Sequence, residues 1–320
     1  MSVSYYGDSS VLAIFQGGIA VPPVPGGSIF YVDGTNGSDT NDGTSPSTAL
    51  KTLSAAYAKC TSDKHDVIYV IPSDTGVLET AAITWAKDYT DVIGLGPVRQ
   101  VGNRARIVCN ATDLSPFFTI SAHGCLFRNV MFWQGQDDVH SLINVSVTGD
   151  RNKFESVHFA GGGHATQAID GGASLHINGG DENEFEDCTI GVDTIDAATG
   201  MAALVFAETG GAARNLFREC RFTICAGATS AIFVEMLGNL STDRYTIFDR
   251  CLFINTDDTY SLTSAFVLPA TNGPKRVLLK DCACIGADDW DSSNRGILYL
   301  NTGTITAGGN SGLMQASNAT

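Results

Sequence analysis

The sequence is poor in charge, and above all in positive charge. Only 17% of its 320 residues are charged, and 19 Lys and Arg face 34 Asp and Glu, so the formal net charge is −15. Binding to nucleic acid or to an anionic membrane depends on basic side chains that neutralise phosphates, so this balance argues against both kinds of partner. No apolar run reaches the roughly 18 residues of a membrane-spanning helix.

We expect neither a secretory leader nor a disulfide framework in this chain. Its first residues, Met-Ser-Val-Ser-Tyr-Tyr-Gly-Asp, contain no basic segment followed by an apolar core. Its nine cysteines are an odd number, which suits a set of paired disulfides poorly. We therefore expect a protein that is made in a cytosol and keeps its thiols reduced.

Motifs for several kinds of chemistry are missing. Gly94-Leu95-Gly96 is followed by Pro97 rather than by Gly-Lys-Ser/Thr, so no phosphate-binding loop is present. There is no serine-hydrolase elbow, and no Cys-x-x-Cys pair or histidine spacing predicts a metal centre or a cofactor. The polar loop over residues 33–42 does contain oxygen ligands that suit Ca²⁺, at Asn36, Asp39 and Asn41. Its spacing is not that of an EF-hand, and Asx turns explain it equally, so calcium stays an alternative.

What the sequence does contain is a repeat. The pattern is an apolar residue, two others, Val or Cys, one other and a second apolar residue. Its copies start 27 to 32 residues apart, at Phe127, Phe154, Phe185, Phe217, Phe248 and Leu279. A second apolar run lies in most intervals, the last of them at residues 297–300, and Gly, Asn and Asp separate the runs. Each interval therefore predicts one coil of a solenoid.

The pattern also predicts which side chains face the interior. Alternate residues of a strand point to opposite faces, so Cys220 and Phe222 would point inward and Arg221 outward. Stacked coils would then align their cysteines in a ladder, with valines in the same slot of earlier coils: Cys188, Cys220, Cys251, Cys282, Val130 and Val157. The period favours an all-β fold, a single right-handed parallel β-helix over residues 63–302 followed by a C-terminal tail over 303–320.

Residues 29–62 predict a cap for this β-helix. A strand over residues 29–32 leads into the polar loop and then into a helix that begins near Ser47. The apolar face of this helix is Leu50, Leu53, Ala56 and Tyr57, at spacings of three and four residues. Because the open end of a solenoid is an unpaired sheet edge, we expect the helix to cover it.

This opening and the repeat together resemble pectate-lyase-like right-handed parallel β-helix proteins, of the kind found as bacteriophage capsid decoration proteins and tailspikes. The resemblance extends over about residues 29–300. It implies the fold and a viral context. It implies no particular activity, because coils of this type serve lyases, hydrolases, tailspikes and passive shell proteins alike.

Residues 1–28 differ from the coils and predict an extended arm. Gly and Pro are frequent there, and a short apolar run cannot form a core of its own. The arm either folds back over the first coil or attaches to a partner. We interpret it as an attachment arm whose partner-binding residues are Val11, Leu12, Ile14, Phe15, Ile19 and Val21.

Acidic residues recur at one corner of the predicted coils. They are Asp137, Asp138, Asp193, Asp257, Asp258, Asp288 and Asp289. Asp257 and Asp288 would lie about one strand spacing apart on adjacent coils. A turn requirement produces the same recurrence, because Asp binds its own backbone in turns, and we favour that explanation over catalysis. A weaker alternative is a carbohydrate-binding face made of Trp133, Trp290, Asp257 and Asp288.

With the viral context that the resemblance implies, we expect a bacteriophage virion structural protein that is not an enzyme, most simply a capsid decoration or cement protein. The expected partners are the major capsid protein or other virion subunits, with a homo-oligomer possible. The expected location is the capsid surface, after synthesis in the host cytoplasm. The alternative is a tailspike or receptor-binding protein that binds or cleaves a host surface polysaccharide.

Overall fold

The computed structural model describes residues 26–103, 105–207, 211–238, 242, 244–269, 277–291, 297–303, 305 and 310–311. Short strands dominate these residues. In chain order they are β1 Ile29–Val32, β2 Val67–Val70, β3 Val77–Glu79, β4 Ile83–Trp85, β5 Asp91–Gly94, β6 Arg106–Cys109, β7 Phe118–Ile120, β8 Leu126–Arg128, β9 Met131–Trp133, β10 Ile143–Val147, β11 Lys153–Glu155, β12 His158–Ala160, β13 Ala173–Ile177, β14 Glu184–Glu186, β15 Thr189–Ala197, β16 Ala202–Phe206, β17 Asn215–Arg218, β18 Arg221–Ala226, β19 Ile232–Met236, β20 Thr246–Asp249, β21 Leu252–Asn255, β22 Phe266–Val267, β23 Val277–Lys280, β24 Ala283–Ile285, β25 Ile297–Leu300 and β26 Asn310–Ser311.

The strands form three sheets that wind into one right-handed parallel β-helix, as predicted. Sheet I has ten strands in the order β1-β2-β5-β8-β11-β14-β17-β20-β23-β25. Sheet II has nine, in the order β3-β6-β9-β12-β15-β18-β21-β24-β26, and sheet III has seven, in the order β4-β7-β10-β13-β16-β19-β22. Most coils run from sheet I to sheet II to sheet III, and only β26 pairs antiparallel among the described strands.

The inward residues of sheet I stack as the repeat predicts. Neighbouring rings of the phenylalanine ladder lie 4.5–5.3 Å apart, centroid to centroid, and within 12° of parallel; its members are Phe127, Phe154, Phe185, Phe217 and Phe248. The predicted cysteine ladder is also buried, with Val130 and Val157 in its lower positions. Its thiols find acceptors in the coil below: the Cys220 Sγ donates to the Phe185 carbonyl at 3.4 Å. The interior is thus a set of like-on-like columns.

A single residue turns the chain from sheet I to sheet II. These residues have positive φ angles of 52° to 54°, and they are Asn129, Ser156, Asp187, Glu219, Arg250 and Asp281. The left-handed conformation costs energy in residues other than Gly. It is tolerated here because each corner N–H donates to the carbonyl of the residue just before the next corner, as from Asn129 to Glu155 and from Ser156 to Glu186, each at 2.9 Å.

The cap differs from its prediction in where its helix begins. Helix α1 spans Leu53–Lys59, with the Thr52 side chain accepting a hydrogen bond from the Ala55 N–H, while Pro46–Thr48 form a 3₁₀ turn. Leu50 is drawn out of the helix into a β-bridge with Val32. Leu53 and Ala56 face the core, and the helix N-terminus meets the Glu79 carboxylate, which accepts from the Leu53 N–H at 2.6 Å. In the described part of the chain no helix is long and apolar enough to cross a membrane.

The C-terminal end of the β-helix also differs from its prediction. The sequence pattern assigns residues 297–300 to the second run of a coil, yet β25 pairs with β23 in sheet I, with Tyr299 aligned to Leu279. Tyr299 therefore continues the phenylalanine column after an interval shorter than the others. No further strand of sheet I follows in the described residues, so Tyr299 stays 46% exposed. Leu298 and Leu300 are exposed as well, because they align with the outward Leu278 and Lys280.

Candidate functional site

Trp290 does not form a sugar-stacking surface. Its ring is only 3% exposed, and it packs edge-on against Phe253 with 5.8 Å between the ring centroids. Its indole N–H donates to the Gly303 carbonyl at 2.8 Å. Trp290 therefore closes the C-terminal part of the core, and its role is corrected from candidate ligand contact to core residue.

Asp257 and Asp288 do not face each other. The pairing of β21 with β24 ends at Ile254 and Ile285, and it resumes only at the bridge between Leu262 and Ala287. Residues 256–261 form an additional loop, which carries Asp257 away. The Asp257 carboxylate accepts from the backbone N–H groups of Thr259 and Tyr260, each at 2.7 Å. Asp288 instead accepts from the Ser261 hydroxyl at 2.7 Å. The two carboxylates are turn and loop contacts, as the turn interpretation predicts.

Asp138 plays the same part at an earlier corner. Its carboxylate accepts from the Ser141 hydroxyl and from the Asp113 N–H. These hydrogen bonds lower the pKa of Asp138 to about 2. A carboxyl that holds no proton at neutral pH is unsuited to general-acid catalysis.

The acidic side chains of the loop over residues 33–42 bind local donors. Asp33 accepts from the Thr35 and Asn36 N–H groups, and Asp39 accepts from the Lys51 and Thr52 N–H groups just before α1. Within the described residues no group of three or more His, Cys, Asp and Glu side chains is placed to hold a metal ion. Calcium binding by this loop therefore stays a prediction without a ligand set to argue from.

Trp133 lies on the outer face of sheet II and is partly exposed. Its ring lies over two glycines of the corner that follows: a Cβ atom at Gly135 or at Gly163 would come within 2.8 Å of the indole. Nearby, the His164 Nδ1 lies 3.6 Å from the Asp137 Oδ1. Trp133 is therefore seated against backbone on one side, and the exposed remainder of its ring is available to a ligand.

The outer face of sheet III carries a row of side chains for which the sequence predicted no role in chemistry. Stacking in register places Ser146, His176, Val205 and Glu235 on consecutive strands. The Ser146 Oγ lies 3.4 Å from the His176 Nδ1. His176 and Glu235 are separated by one strand, so their backbones are about 10 Å apart. One sequence feature could have indicated this row: a polar residue inside an otherwise apolar run, as in Leu175-His176-Ile177.

Burial shifts the pKa values of two groups in this row, Glu235 and His176. Burial raises the pKa of the Glu235 carboxyl, and the negative charge of Asp170 raises it further. Burial lowers the pKa of the His176 imidazole. The result is a carboxyl that keeps its proton more readily than usual beside a histidine that stays neutral, which is the arrangement expected of an acid and a base acting on one substrate.

The predicted attachment residues cannot be placed. Val11, Leu12, Ile14, Phe15, Ile19 and Val21 lie outside the described residues. Nothing in the described chain therefore bears on the arm as a partner-binding segment, and it stays a prediction.

Several solved structures share this fold at low sequence identity. Pectate lyase Pel9A is 17% identical, with a TM-score of 0.58 over 85% of this chain and 68% of that chain. The pectin methylesterase from Aspergillus niger is 16% identical, with a TM-score of 0.53 over 87% and 85% of the two chains. A rhamnogalacturonan lyase is 14% identical, with a TM-score of 0.52 over 80% and 68%. No protein-family model matches the chain, and no curated protein matches it either.

These likenesses confirm the pectate-lyase-like β-helix and correct one expectation. The prediction that the chain is not an enzyme, which rested on missing catalytic motifs, is contradicted, because the lyases and the esterase that share the fold are enzymes. The missing sequence motifs therefore do not exclude catalysis. The likenesses give no support to a bacteriophage origin or to a capsid decoration role.

Proposed function

We propose that the chain binds and hydrolyses a polysaccharide, with the outer face of sheet III as its active surface. The observation that carries this proposal is Glu235, a half-buried carboxyl with a raised pKa on the same face as a neutral histidine. The fold supports it, since pectin-active enzymes are built on the same β-helix. A host surface polysaccharide, as in the tailspike alternative, is the substrate we propose.

Each side chain has a definite part in this scheme. Glu235 donates its proton to the leaving oxygen as the glycosidic bond breaks. His176 accepts a proton from the water whose oxygen bonds to the anomeric carbon, and Ser146 orients the imidazole through Nδ1. Both groups return to their starting states when His176 releases its proton to solvent and Glu235 takes one up, so the protons balance. Trp133 would hold a neighbouring sugar at the edge of this surface.

The virion setting is a separate part of the proposal. The family resemblance and the apolar arm motivate it, with the major capsid protein or other virion subunits as partners. Deleting residues 1–28 tests it: we expect a folded, soluble protein that no longer associates with particles. Unchanged particle occupancy would remove the arm from this role.

The test of the activity uses purified protein and a panel of bacterial surface polysaccharides with pectin added. We expect new reducing ends with the wild type and their loss in Glu235→Gln. Asp257→Asn is the matched control, because that carboxylate binds its own turn, and it should keep full activity. If activity survives in Glu235→Gln but disappears in Asp257→Asn, the proposal is wrong, and the active site lies at the acidic corner that contains Asp257.

A further inference from the structure

The outer face of sheet I carries an apolar column at the C-terminal end of the β-helix. Its members lie in register on the last four strands of the sheet: Leu216, Ile247, Leu278 and Leu298. Each is followed along its strand by a residue of the buried aromatic column, so all four point outward. All four are at least partly exposed, and Leu298 is the most exposed, at 56%.

The apolar column is separate from the rest of this outer face. Near the N-terminal end the outward Tyr31, Val67 and Tyr69 are buried, each at most 7% exposed. In the middle of the sheet the same column position holds Lys153 and Glu184, which form an ion pair at 3.2 Å. A contiguous apolar surface that soluble proteins leave exposed often marks a place where a partner binds.

Charges that alternate in sign lie beside the apolar column. The next outward position of the same strands holds Arg218, Asp249 and Lys280, followed by Leu300. The corner after each strand holds Glu219, Arg250 and Asp281. Within one chain these charges link successive coils, as where Arg250 Nη2 lies 2.9 Å from Glu219 Oε1. A column of alternating charge is complementary to a reversed copy of itself in one register and repelled by it in the next.

We propose that two copies of this chain bind each other through their apolar columns, with the β-helices antiparallel. The two-fold axis runs along the strand direction, between β20 and β23. Leu216 then faces Leu298 of the second copy, and Ile247 faces Leu278. A contact of this kind uses the same patch twice and closes on a dimer. It is independent of the proposed function, because the proposed chemistry lies on sheet III.

The charges select this register. In it Arg250 faces Asp281 of the second copy, and Lys280 faces Asp249. Moving the axis onto β20 would bring Lys280 to Arg218 and Arg250 to its own equivalent. Moving the axis onto β23 would bring Asp281 to its own equivalent and Lys280 to its own. Like charges across an interface oppose association, so both shifted registers are disfavoured.

The register also determines the shape of the dimer. Only the last four strands of sheet I overlap, so the remainder of each β-helix extends past the end of the other copy. The ten strands of sheet I span about 43 Å, and the dimer would span about 70 Å. The shared surface is small for a permanent complex, so we expect a dimer that dissociates on dilution.

Sedimentation velocity of the full chain over a wide range of protein concentration tests the proposal. We expect the wild type to change from monomer to dimer as its concentration rises. Leu278→Glu brings a carboxylate against Ile247 of the second copy, and it should weaken dimerisation about tenfold or more. Val139→Glu is the matched control, because Val139 is a similarly exposed apolar residue, at 49%, outside sheet I. It should dimerise like the wild type, and circular dichroism establishes that each variant is folded.

A mixture of two charge variants tests the register. Arg250→Glu and Asp281→Arg each place like charges at both copies of this contact, so each should weaken self-association about tenfold. When the two variants are mixed, opposite charges meet at both contacts, and dimerisation should return to about its wild-type strength. Arg fits the backbone of this corner, since Arg250 has a φ of 53° and Asp281 one of 52°. Recovery on mixing cannot come from a loss of folding.

Four outcomes would overturn the proposal. A monomer at every concentration removes the interface, and a dimer that Leu278→Glu leaves unchanged lies on another surface. A mixture that does not recover excludes the register. Small-angle scattering supplies the fourth, because a dimer no longer than one copy, about 43 Å, would have its β-helices side by side. None of these measurements depends on cleavage, so the active surface on sheet III can fail or hold independently.

Discussion

The Oδ1 of Asn183 accepts a hydrogen bond from the backbone N–H of Asn152, one coil earlier, at 2.8 Å. The Asn183 Nδ2 completes the link by donating to the Gly149 carbonyl at 3.0 Å. Asn215 repeats both contacts one coil later. This internal asparagine ladder satisfies backbone groups at the corner between sheets III and I, where no strand pairing reaches them.

Asn183→Ala tests the value of one step of this ladder. The substitution leaves a buried N–H and a buried carbonyl without partners, so we expect a loss of about 2–4 kcal/mol in the free energy of unfolding. Urea denaturation followed by circular dichroism measures it. Asn178→Ala, at an exposed asparagine, is the control and should cost little. Equal effects of the two substitutions would contradict the ladder's role.

Asp91 predicts how stability depends on pH. Burial raises its pKa to about 6 from the ordinary 3.8, so the folded chain binds this proton more tightly than the unfolded chain does. The stabilisation of the folded state by this bound proton is therefore fully present below about pH 4, and it is lost as the pH rises through about 6. The shift corresponds to about 3 kcal/mol at most.

Asp91→Asn removes this charge and keeps an oxygen that can accept from the Leu126 N–H, which Asp91 does at 2.8 Å. We expect the variant to be about 2 kcal/mol more stable than the wild type at pH 7 and no more stable at pH 4. The check is a series of urea titrations between these pH values. Asp74→Asn, at an exposed position, should show no such difference, and a constant gain across the pH range would contradict the assignment.

Cys225 should be the first thiol to react in the folded protein. It is partly exposed, whereas the other eight cysteines are buried and none forms a disulfide. Burial raises the pKa of Cys225 as well, so alkylation should be slow at neutral pH and faster in mild alkali. Peptide mapping after limited labelling identifies the site. The expected result is one label, absent in Cys225→Ser; a first label on any ladder cysteine would show that the core opens more readily than its packing implies.

Trp133 should provide the quenchable tryptophan fluorescence. The sequence has 3 tryptophans, and Trp85 and Trp290 are 0% and 3% exposed. A neutral quencher such as acrylamide should therefore act mainly on Trp133, and Trp133→Phe should remove that component. If a glycan stacks on this ring, its addition protects the fluorescence. Quenching that a bound glycan leaves unaltered would remove Trp133 from the binding surface.

The asparagine ladder shows what a closer inspection of the repeat could have found. Asn152, Asn183 and Asn215 each stand two residues before the first phenylalanine of a repeat unit, so their recurrence is visible in the sequence. Their function is not, because the acceptors and donors belong to other coils. The same holds for His176 and Glu235: each is a single polar residue in an apolar run, and only stacking aligns them on one face.

The sequence by itself determined the solenoid and its internal columns, because strand alternation is local and the interval between repeats sets the coil length. The tertiary structure decided everything that depends on one coil meeting another. Residues 256–261 shifted the register that would have brought Asp257 to Asp288. A β-bridge to Val32 took Leu50 from the helix, and the end of the core covered Trp290. Contacts between residues far apart in the chain outweigh local preference, because burying a side chain or pairing a backbone group is worth more than a helical turn.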